Sequence, residues 1–158
     1  MRVEDLEIRA YRLSDLPSVV EVFKKAVFLG AKNDYTAEQL RAWANEPLDL
    51  GQWADRLSRN KSRVAEVEET VVGFAEMTGH RHIEMLFVHP DFHRKGVASA
   101  LLSHFEVAAA LRGSEELTTE ASRTARPFFE THGYKVVTAQ EIERQGVLIQ
   151  NFTMKKTL

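Results

Sequence analysis

With 158 residues and 44% hydrophobic side chains, the chain has the size and composition of one folded domain, spanning residues 1–158. It has no cysteine, which excludes disulfides and thiolate chemistry, and its formal net charge of −2 gives no basic surface for nucleic acid. No apolar run approaches the roughly 20 residues that span a bilayer. Because Met1 to Leu13 also lacks a signal-peptide core, we expect a cytoplasmic protein with no membrane partner.

The first part of the chain predicts one strand followed by three helices. Leu6 to Leu13 alternates like a strand, and Ser14 to Gly30 then has the cap and apolar stripe of a helix. Thr36 and Gln39 form a capping box that begins a second helix. A third, short helix is expected around Trp53.

The rest of the chain alternates between strand and helix patterns. Strands are predicted at Arg63–Glu68, Val71–Thr78, His82–Val88, Leu117–Ala121, Val136–Ile142 and Val147–Met154, and helices at Gly96–Leu111 and Ala125–His132. Strands with helices inserted between them predict an α/β domain in which helices flank one mixed sheet.

The most informative segment connects a predicted strand to a helix at residues 88–102. It reads Val-His-Pro-Asp-Phe-His-Arg-Lys-Gly-Val-Ala-Ser-Ala-Leu-Leu. Gly96 and Ala98 let a ligand approach the backbone, while the helix amides, Arg94 and Lys95 favour an anion such as a diphosphate. The segment lacks both the Walker loop and the three-glycine dinucleotide fingerprint, which disfavours a mononucleotide kinase. Taken alone, it also fits an ordinary strand–helix connection.

This segment resembles the acetyl-CoA motif of the GNAT superfamily of N-acetyltransferases. Residues 121–134, Ala-Ser-Arg-Thr-Ala-Arg-Pro-Phe-Phe-Glu-Thr-His-Gly-Tyr, are similar to the second motif of that family. The helix with Tyr35, Gln39, Ala42 and Trp43 resembles a bacterial branch of the superfamily. The resemblance implies a single-domain GNAT-like fold, with a mixed, mostly antiparallel sheet that splays at the cofactor site, and an enzyme that uses acetyl-CoA as co-substrate.

The resemblance also implies roles for individual residues at the cofactor. Backbone groups of residues 86–88 would pair with the pantetheine arm, and the Val88 amide would polarise the thioester carbonyl, a contribution of about 3 kcal/mol in an apolar cleft. The turn after residue 92 would wrap the pyrophosphate. The implied cofactor set is Leu86, Phe87, Val88, His93, Arg94, Lys95, Gly96, Val97, Ala98, Ser99, Ser122, Phe128 and Phe129.

Three positions depart from the family pattern. His93 replaces the usual Arg or Gln, and Ser122 replaces an Asn that bonds the pantetheine. Phe129 stands where many members have a Tyr that protonates the departing thiolate. A thiol with a pKa of about 8.5 can leave without an acid. Tyr134 is a candidate substitute for that acid, although packing also explains a Tyr at its position.

Two carboxylates are candidates for the base that an amine acceptor needs. A free alkylamine is mostly protonated at neutral pH, so a nearby carboxylate can hold the cation and then accept its proton. Glu84 lies on the motif strand, and Glu120 lies on the next strand with Ser122 on the same face. The alternative is that each side chain reaches solvent at a strand end.

Aromatic residues of the N-terminal helices are candidates for acceptor binding. We predict that Tyr35, Trp43 and Glu84 contact the substrate, although core packing explains Trp43 equally well. No metal is predicted, because the histidine pairs at positions 80 and 82 and at 89 and 93 lack a third ligand at suitable spacing.

The sequence therefore predicts transfer of acetyl from acetyl-CoA to the primary amine of a small-molecule or peptide acceptor, by direct attack in a ternary complex. The alternative is a CoA-binding regulatory module of the same fold with little or no catalysis. The acceptor is left open, and so is a homodimer.

Overall fold

Strands and helices alternate along the computed structural model, which describes residues 4–158. The strands are β1 Leu6–Ala10, β2 Lys61–Val67, β3 Thr70–Thr78, β4 His82–Val88, β5 Glu116–Ser122, β6 Lys135–Arg144 and β7 Val147–Thr157. The α-helices are α1 Leu16–Lys25, α2 Ala37–Ala44, α3 Leu50–Arg59, α4 Val97–Leu111 and α5 Arg126–Thr131. A π-helical turn, Ala26–Gly30, extends α1.

All seven strands form one sheet in the order β1-β2-β3-β4-β5-β7-β6. Every neighbouring pair is antiparallel except β4 and β5, which are parallel. The predicted α/β fold with a mixed, mostly antiparallel sheet is therefore confirmed.

The predicted elements are all present, with shifts at their ends. β1 ends at Ala10, before Leu13, because Leu13–Asp15 form a short 3₁₀ turn. Asp15 does not cap α1 with its side chain. It is buried and accepts hydrogen bonds from Arg9 and from the Arg12 amide instead. The capping box at the start of α2 forms as predicted.

The sheet splays between β4 and β5. These strands pair only at His82 with Thr118 and at Ile83 with Thr119. Beyond those pairs β4 continues along β3 to Val88, and β5 continues along β7 to Ser122. The gap between the two diverging strands is the predicted opening at the cofactor site.

A β-bulge lies in β4 beside this opening. The pairing of β3 with β4 steps from Glu76 and Met85 to Met77 and Ile83, which leaves Glu84 as the extra residue on β4. A bulge of this kind bends the strand and redirects its side chains. It therefore places Glu84 at the start of the splayed region.

Helices cover the two faces of the sheet around separate cores. One core includes residues of α4 and α5 with the sheet, among them Leu101, Phe105 and Phe129. The other core joins α1, α2 and α3 to residues such as Phe74. Gly73 allows α4 to lie close to β3, since a Cβ there would be 3.1 Å from both Phe87 O and Val97 Cγ1.

Candidate active site

A cavity of about 530 Å³ lies between the diverging strands and the helices α4 and α5. We call it the α4 cavity. It is lined by the whole predicted cofactor set except Lys95, namely Leu86, Phe87, Val88, His93, Arg94, Gly96, Val97, Ala98, Ser99, Ser122, Phe128 and Phe129. Lys95 instead has its ammonium 5.2 Å from the centre of the Phe92 ring. The cofactor roles of all these residues, Lys95 included, stay predictions.

The start of α4 can bind an anion at one end of the α4 cavity. Gly96 is the N-cap of this 15-residue helix, and its φ of 84° is one that glycine adopts without strain. The first amides of a helix have no partner within the helix, and its dipole favours negative charge there. Small residues at Ala98 and Ser99 keep this end of the cavity accessible.

His132 is a polar group of the α4 cavity that the sequence analysis did not assign to it. Its Nδ1 lies 2.9 Å from the Phe128 carbonyl oxygen, so Nδ1 carries the proton in the neutral ring. Its Nε2 lies 3.0 Å from Ser99 Oγ and accepts the hydroxyl proton. The spacing of four residues between Phe128 and His132 on one helix face was the available signal.

A second cavity of about 410 Å³ lies on the other face of the sheet, beneath α1, α2 and α3. We call it the α3 cavity. Six residues with phenyl, phenol or indole rings line it, Phe23, Tyr35, Trp43, Trp53, Phe87 and Phe129, together with the charged residues Asp49, Arg56, Glu84, Glu120 and Arg144. All of these rings except Phe129 are joined by edge or tilted contacts, with centroids 4.9 Å apart for Phe23 and Trp53 and 5.1 Å apart for Phe23 and Phe87.

The two cavities meet where the sheet splays. We call this place the junction, and it consists of the residues that line both cavities: Trp43, Leu86, Phe87, Ser122, Ala125 and Phe129. At the junction Ser122 Oγ accepts a hydrogen bond from the Ala125 amide, 3.0 Å away. Phe129 contributes a buried ring and no hydroxyl.

Both predicted base residues line the α3 cavity. The Glu84 carboxylate accepts a hydrogen bond from Thr78 Oγ1 at 3.1 Å, and its other oxygen is 3.7 Å from Arg56 Nη2. Glu120 is exposed and lies beside Thr153 of β7 in the sheet. The structure therefore brings Glu84 and Glu120 to one cavity, with Glu84 the more constrained of the two.

A buried carboxylate below the α3 cavity was missed by the sequence analysis. Glu76 is fully buried on β3, and its oxygens lie 2.8 Å and 3.0 Å from Arg56 Nε. Asn60 Nδ2 also donates to it. Because Arg56 contacts both Glu76 and Glu84, the guanidinium joins the buried carboxylate to the one at the cavity wall. The sequence feature that indicates such a residue is a Glu within the otherwise apolar strand 71–78, because a charged side chain is rarely buried without a partner.

Tyr35 lines the α3 cavity, but its hydroxyl is engaged by the protein. It donates to the Gln150 carbonyl at 2.6 Å and accepts from the Arg123 amide at 2.8 Å. Burial raises the pKa of this phenol above its usual range, and the Arg123 amide partly opposes that rise. Tyr35 therefore presents its ring to the cavity, while Trp43 lines both cavities.

Tyr134 is not among the residues that line either cavity. It is buried in the core, and its hydroxyl donates to Glu106 Oε2 at 3.0 Å. Burial, followed by the charge of Glu106, raises its phenol pKa well above the usual range. The position fits the packing alternative for Tyr134 and gives it no path to a thioester at the junction.

One histidine of each pair has a local partner. His82 Nδ1 lies 2.6 Å from Thr118 Oγ1, and His89 Nδ1 accepts from the Asp91 amide at 3.1 Å. Among residues 4–158, no group of three or more His, Asp or Glu side chains could hold a metal ion. Nor does the described part of the chain contain a helix long and apolar enough to cross a membrane.

The start of α4 thus lies beside a splayed sheet, at a cavity that adjoins a second cavity through the junction. The family profile of the acetyltransferase (GNAT) domain matches residues 31–158. The N-acetyltransferase YafP of Escherichia coli is 36% identical over 153 residues, which is 97% of this chain and 97% of YafP. The chain belongs to the GNAT acetyltransferase family and is an acyltransferase.

Solved structures agree with this assignment. A GCN5-related N-acetyltransferase from Rhodopseudomonas palustris superposes with a TM-score of 0.95 at 33% identity, covering 100% of this chain and 99% of that one. The PaiA N-acetyltransferase of Thermoplasma acidophilum, solved with coenzyme A, has the same fold, with a TM-score of 0.79 at 20% identity, covering 97% of this chain and 99% of that one.

Proposed function

We propose that the enzyme transfers acetyl from acetyl-CoA to the primary amine of a small-molecule or peptide acceptor, by direct attack in a ternary complex. The observation that carries this proposal is the junction, where the two cavities share Leu86, Phe87 and Ser122. A thioester reaching the junction from the α4 cavity can meet an amine arriving from the α3 cavity. Neither substrate has to leave before the other binds.

Acetyl-CoA would occupy the α4 cavity. Its pyrophosphate would lie at the start of α4, and its pantetheine would run along residues 86–88 as an additional strand in the gap beside β4. The size and lining of this cavity support that placement, as does the coenzyme A bound to the PaiA relative. Ser99 and His132, which hydrogen-bond to each other, place a hydroxyl and an imidazole near the helix start. These groups can reorganise around phosphate oxygens.

The chemical step needs a nucleophile, an oxyanion donor and a proton acceptor. The lone pair of the neutral amine attacks the thioester carbon, forming the C–N bond, and the C–S bond then breaks to release CoA thiolate. Glu84 or Glu120 accepts the proton that the nitrogen loses. The Val88 amide would donate to the oxygen of the tetrahedral intermediate.

The leaving thiolate needs no protein acid in this scheme. Phe129 places an apolar ring at the junction where many relatives have a Tyr, and Tyr134 is engaged with Glu106. A thiol pKa of about 8.5 makes the thiolate stable enough to depart near neutral pH and to be protonated by solvent. We therefore propose no general acid.

Release of CoA thiol tests the proposed function directly. The purified protein would be incubated with acetyl-CoA and a panel of amines: 2-phenylethylamine, an aminoglycoside, an amino acid and a peptide with a free N-terminus. Amine-dependent CoA release is expected with at least one of them. Thermal stabilisation by acetyl-CoA without turnover of any amine would favour the CoA-binding module instead.

The base is tested by removing each carboxylate in turn. We expect Glu84→Gln or Glu120→Gln to lower kcat by about 10²-fold or more, because general-base catalysis typically contributes that much. The loss should shrink at high pH, where the amine is already neutral. Glu116→Gln is the matched control, because Glu116 lies on the same strand as Glu120 and outside both cavities. Unchanged turnover in both single variants would contradict a carboxylate base.

A further inference from the structure

Three aromatic side chains of the α3 cavity have open surface, and together we call them the aromatic wall. They are Trp43, Trp53 and Phe87, each of which is partly buried and lines the cavity. Buried Phe23 connects them, with its ring centre 4.9 Å from that of Trp53 and 5.1 Å from that of Phe87. The ring centres of Trp43 and Phe87 are 6.0 Å apart. The wall is therefore one continuous apolar surface.

The aromatic wall differs from an aromatic residue that serves only the core. Phe74, whose ring centre is 6.3 Å from that of Trp53, is 1% exposed and lines neither cavity. The wall instead leaves aromatic surface uncovered inside a cavity of about 410 Å³. A ligand that covers this surface gains free energy, because apolar area is removed from water. Ligand pockets are typically lined in this way, with a few polar groups that fix the orientation of the ligand.

The aromatic wall extends from the junction toward one of the two candidate bases. Trp43 and Phe87 are junction residues. Trp53 lies three residues before Arg56 on α3, so the two side chains share a helix face. The Arg56 guanidinium is in turn 3.7 Å from the Glu84 carboxylate. A molecule that lies on the wall is therefore close to both Glu84 and the junction.

The charged groups around the aromatic wall favour a cation over an anion. Three carboxylates and two guanidinium groups line the α3 cavity, from Asp49, Glu84, Glu120, Arg56 and Arg144. Arg56 also binds the buried carboxylate of Glu76 at 2.8 Å, so four carboxylates oppose two guanidinium groups. This excess of negative charge attracts an ammonium group and disfavours an acceptor with a free carboxylate.

We propose that the aromatic wall binds an aromatic ring of the acceptor, which makes primary amines with an aryl group on a short linker the acceptor class of this enzyme. The inference rests on the proposed acetyl transfer and names its substrate class. The aryl ring packs on Trp53 and Phe87, and the amino group reaches Glu84 or Glu120. A polyhydroxylated amine such as an aminoglycoside fits poorly, because its hydroxyls lose water against the rings without gaining partners.

The test compares amines with and without a ring in wild type and in Trp53→Leu. Benzylamine, 2-phenylethylamine and 3-phenylpropylamine differ in linker length, and propylamine is the ring-free reference. In wild type, kcat/KM for the best aryl amine should exceed that for propylamine by about 10-fold or more, because burying a phenyl ring is worth at least that factor. Trp53→Leu keeps an apolar side chain but removes the indole. The ratio should then fall by about 10-fold, while kcat/KM for propylamine and the Kd for acetyl-CoA stay unchanged.

Phe28→Leu is the matched control, since Phe28 is a partly buried ring packed on the same core and lines neither cavity. Its preference for aryl amines should equal that of wild type. An unchanged ratio in Trp53→Leu would overturn the inference, as would equal losses for aryl amines and propylamine, which would show a packing role. Weaker acetyl-CoA binding would assign Trp53 to the cofactor and overturn it too. If Trp53→Leu does not fold, the absence of any aryl preference in wild type still overturns the inference.

Tryptophan fluorescence distinguishes failure of this inference from failure of the proposed function. The chain has two tryptophans, and both line the α3 cavity. Trp43→Phe leaves Trp53 as the reporter, and Trp53 lines the α3 cavity but not the α4 cavity. If wild type turns over no amine, each amine is titrated into the CoA complex of this variant. A saturable change in emission with a lower Kd for an aryl amine than for propylamine supports the inference without acetyl transfer. Equal Kd values, or no change with any amine, would overturn it.

Discussion

Hydrogen-bond partners distinguish the side chains around the junction that are available for reaction from those that only stabilise the site. Glu84 and Glu120 line the α3 cavity. The hydroxyls of Tyr35 and Tyr134 are instead bonded to the Gln150 carbonyl and to Glu106. A side chain that already has its hydrogen-bond partners in the core is a poor candidate for proton transfer.

Tyr134→Phe tests this distinction at one residue. The hydroxyl donates to Glu106, which is also 2.9 Å from Lys156 Nζ, so the carboxylate keeps one partner in the variant. We expect the free energy of unfolding to fall by about 1 kcal/mol, the net worth of one hydrogen bond. Urea denaturation measures this loss. Because we assign no acid role to the phenol, kcat should stay within about a factor of two of wild type.

A large fall in kcat with unchanged stability would contradict this assignment and restore Tyr134 as the acid. Val136→Ala, at a partly buried position near Tyr134 with no polar group, is a control for general loosening of the same core.

At the scale of elements, the site depends on how closely α4 approaches the sheet. Helix α4 packs on β3 and β4. The side chain of its first residue, Val97, occupies the space beside Gly73, 3.1 Å from where a Cβ of that residue would lie. The same glycine faces the backbone oxygen of Phe87, a junction residue. The spacing between the sheet and the phosphate end of the α4 cavity is therefore set in part by the missing side chain at Gly73.

Gly73→Ala should disturb both stability and cofactor binding. The added Cβ would lie 3.1 Å from Phe87 O and from Val97 Cγ1, so these neighbours must shift by a few tenths of an ångström. Overpacking of this kind typically costs about 1–3 kcal/mol of unfolding free energy. We also expect a higher Kd for acetyl-CoA, measured by calorimetry, since the shift moves the start of α4.

Ala75→Gly on the same strand is a control for the change in chain flexibility, because it removes a methyl group from the core instead of adding one. Wild-type stability and acetyl-CoA affinity in Gly73→Ala would contradict the idea that Gly73 sets the position of α4.

The elements show how far sequence patterns determine this fold. The capping box of Thr36 and Gln39 and the bounds of β4 were predicted correctly, because local hydrogen bonds and strand alternation decide them. The bulge at Glu84 was not predicted, because it depends on the register between two strands. The residue pattern of one strand indicates which face is buried, but a bulge also depends on the partner strand and on the turn between them.

The candidate site was predictable to a similar extent. The cofactor set followed from contiguous motifs, and all of it except Lys95 lines the α4 cavity. Glu76 and His132 were missed because their importance comes from partners distant in sequence. Each lies in an element whose sequence also fits ordinary packing.

At the scale of the whole molecule, the splayed sheet connects two cavities on opposite faces. The cofactor motifs supply one cavity, and the N-terminal helices supply most of the aromatic wall of the other. The two meet at the junction, where we propose that the acetyl group passes directly from cofactor to acceptor. A chain without cysteine also offers no thiol to carry the acetyl group between them. Direct transfer is thus the central claim.

The initial-velocity pattern tests that claim most directly. CoA release would be measured while the amine is varied at several fixed concentrations of acetyl-CoA, using the best acceptor of the panel. Direct transfer in a ternary complex predicts double-reciprocal lines that intersect. Parallel lines would indicate that CoA leaves before the amine binds, as in a covalent acetyl-enzyme mechanism, and would contradict the claim.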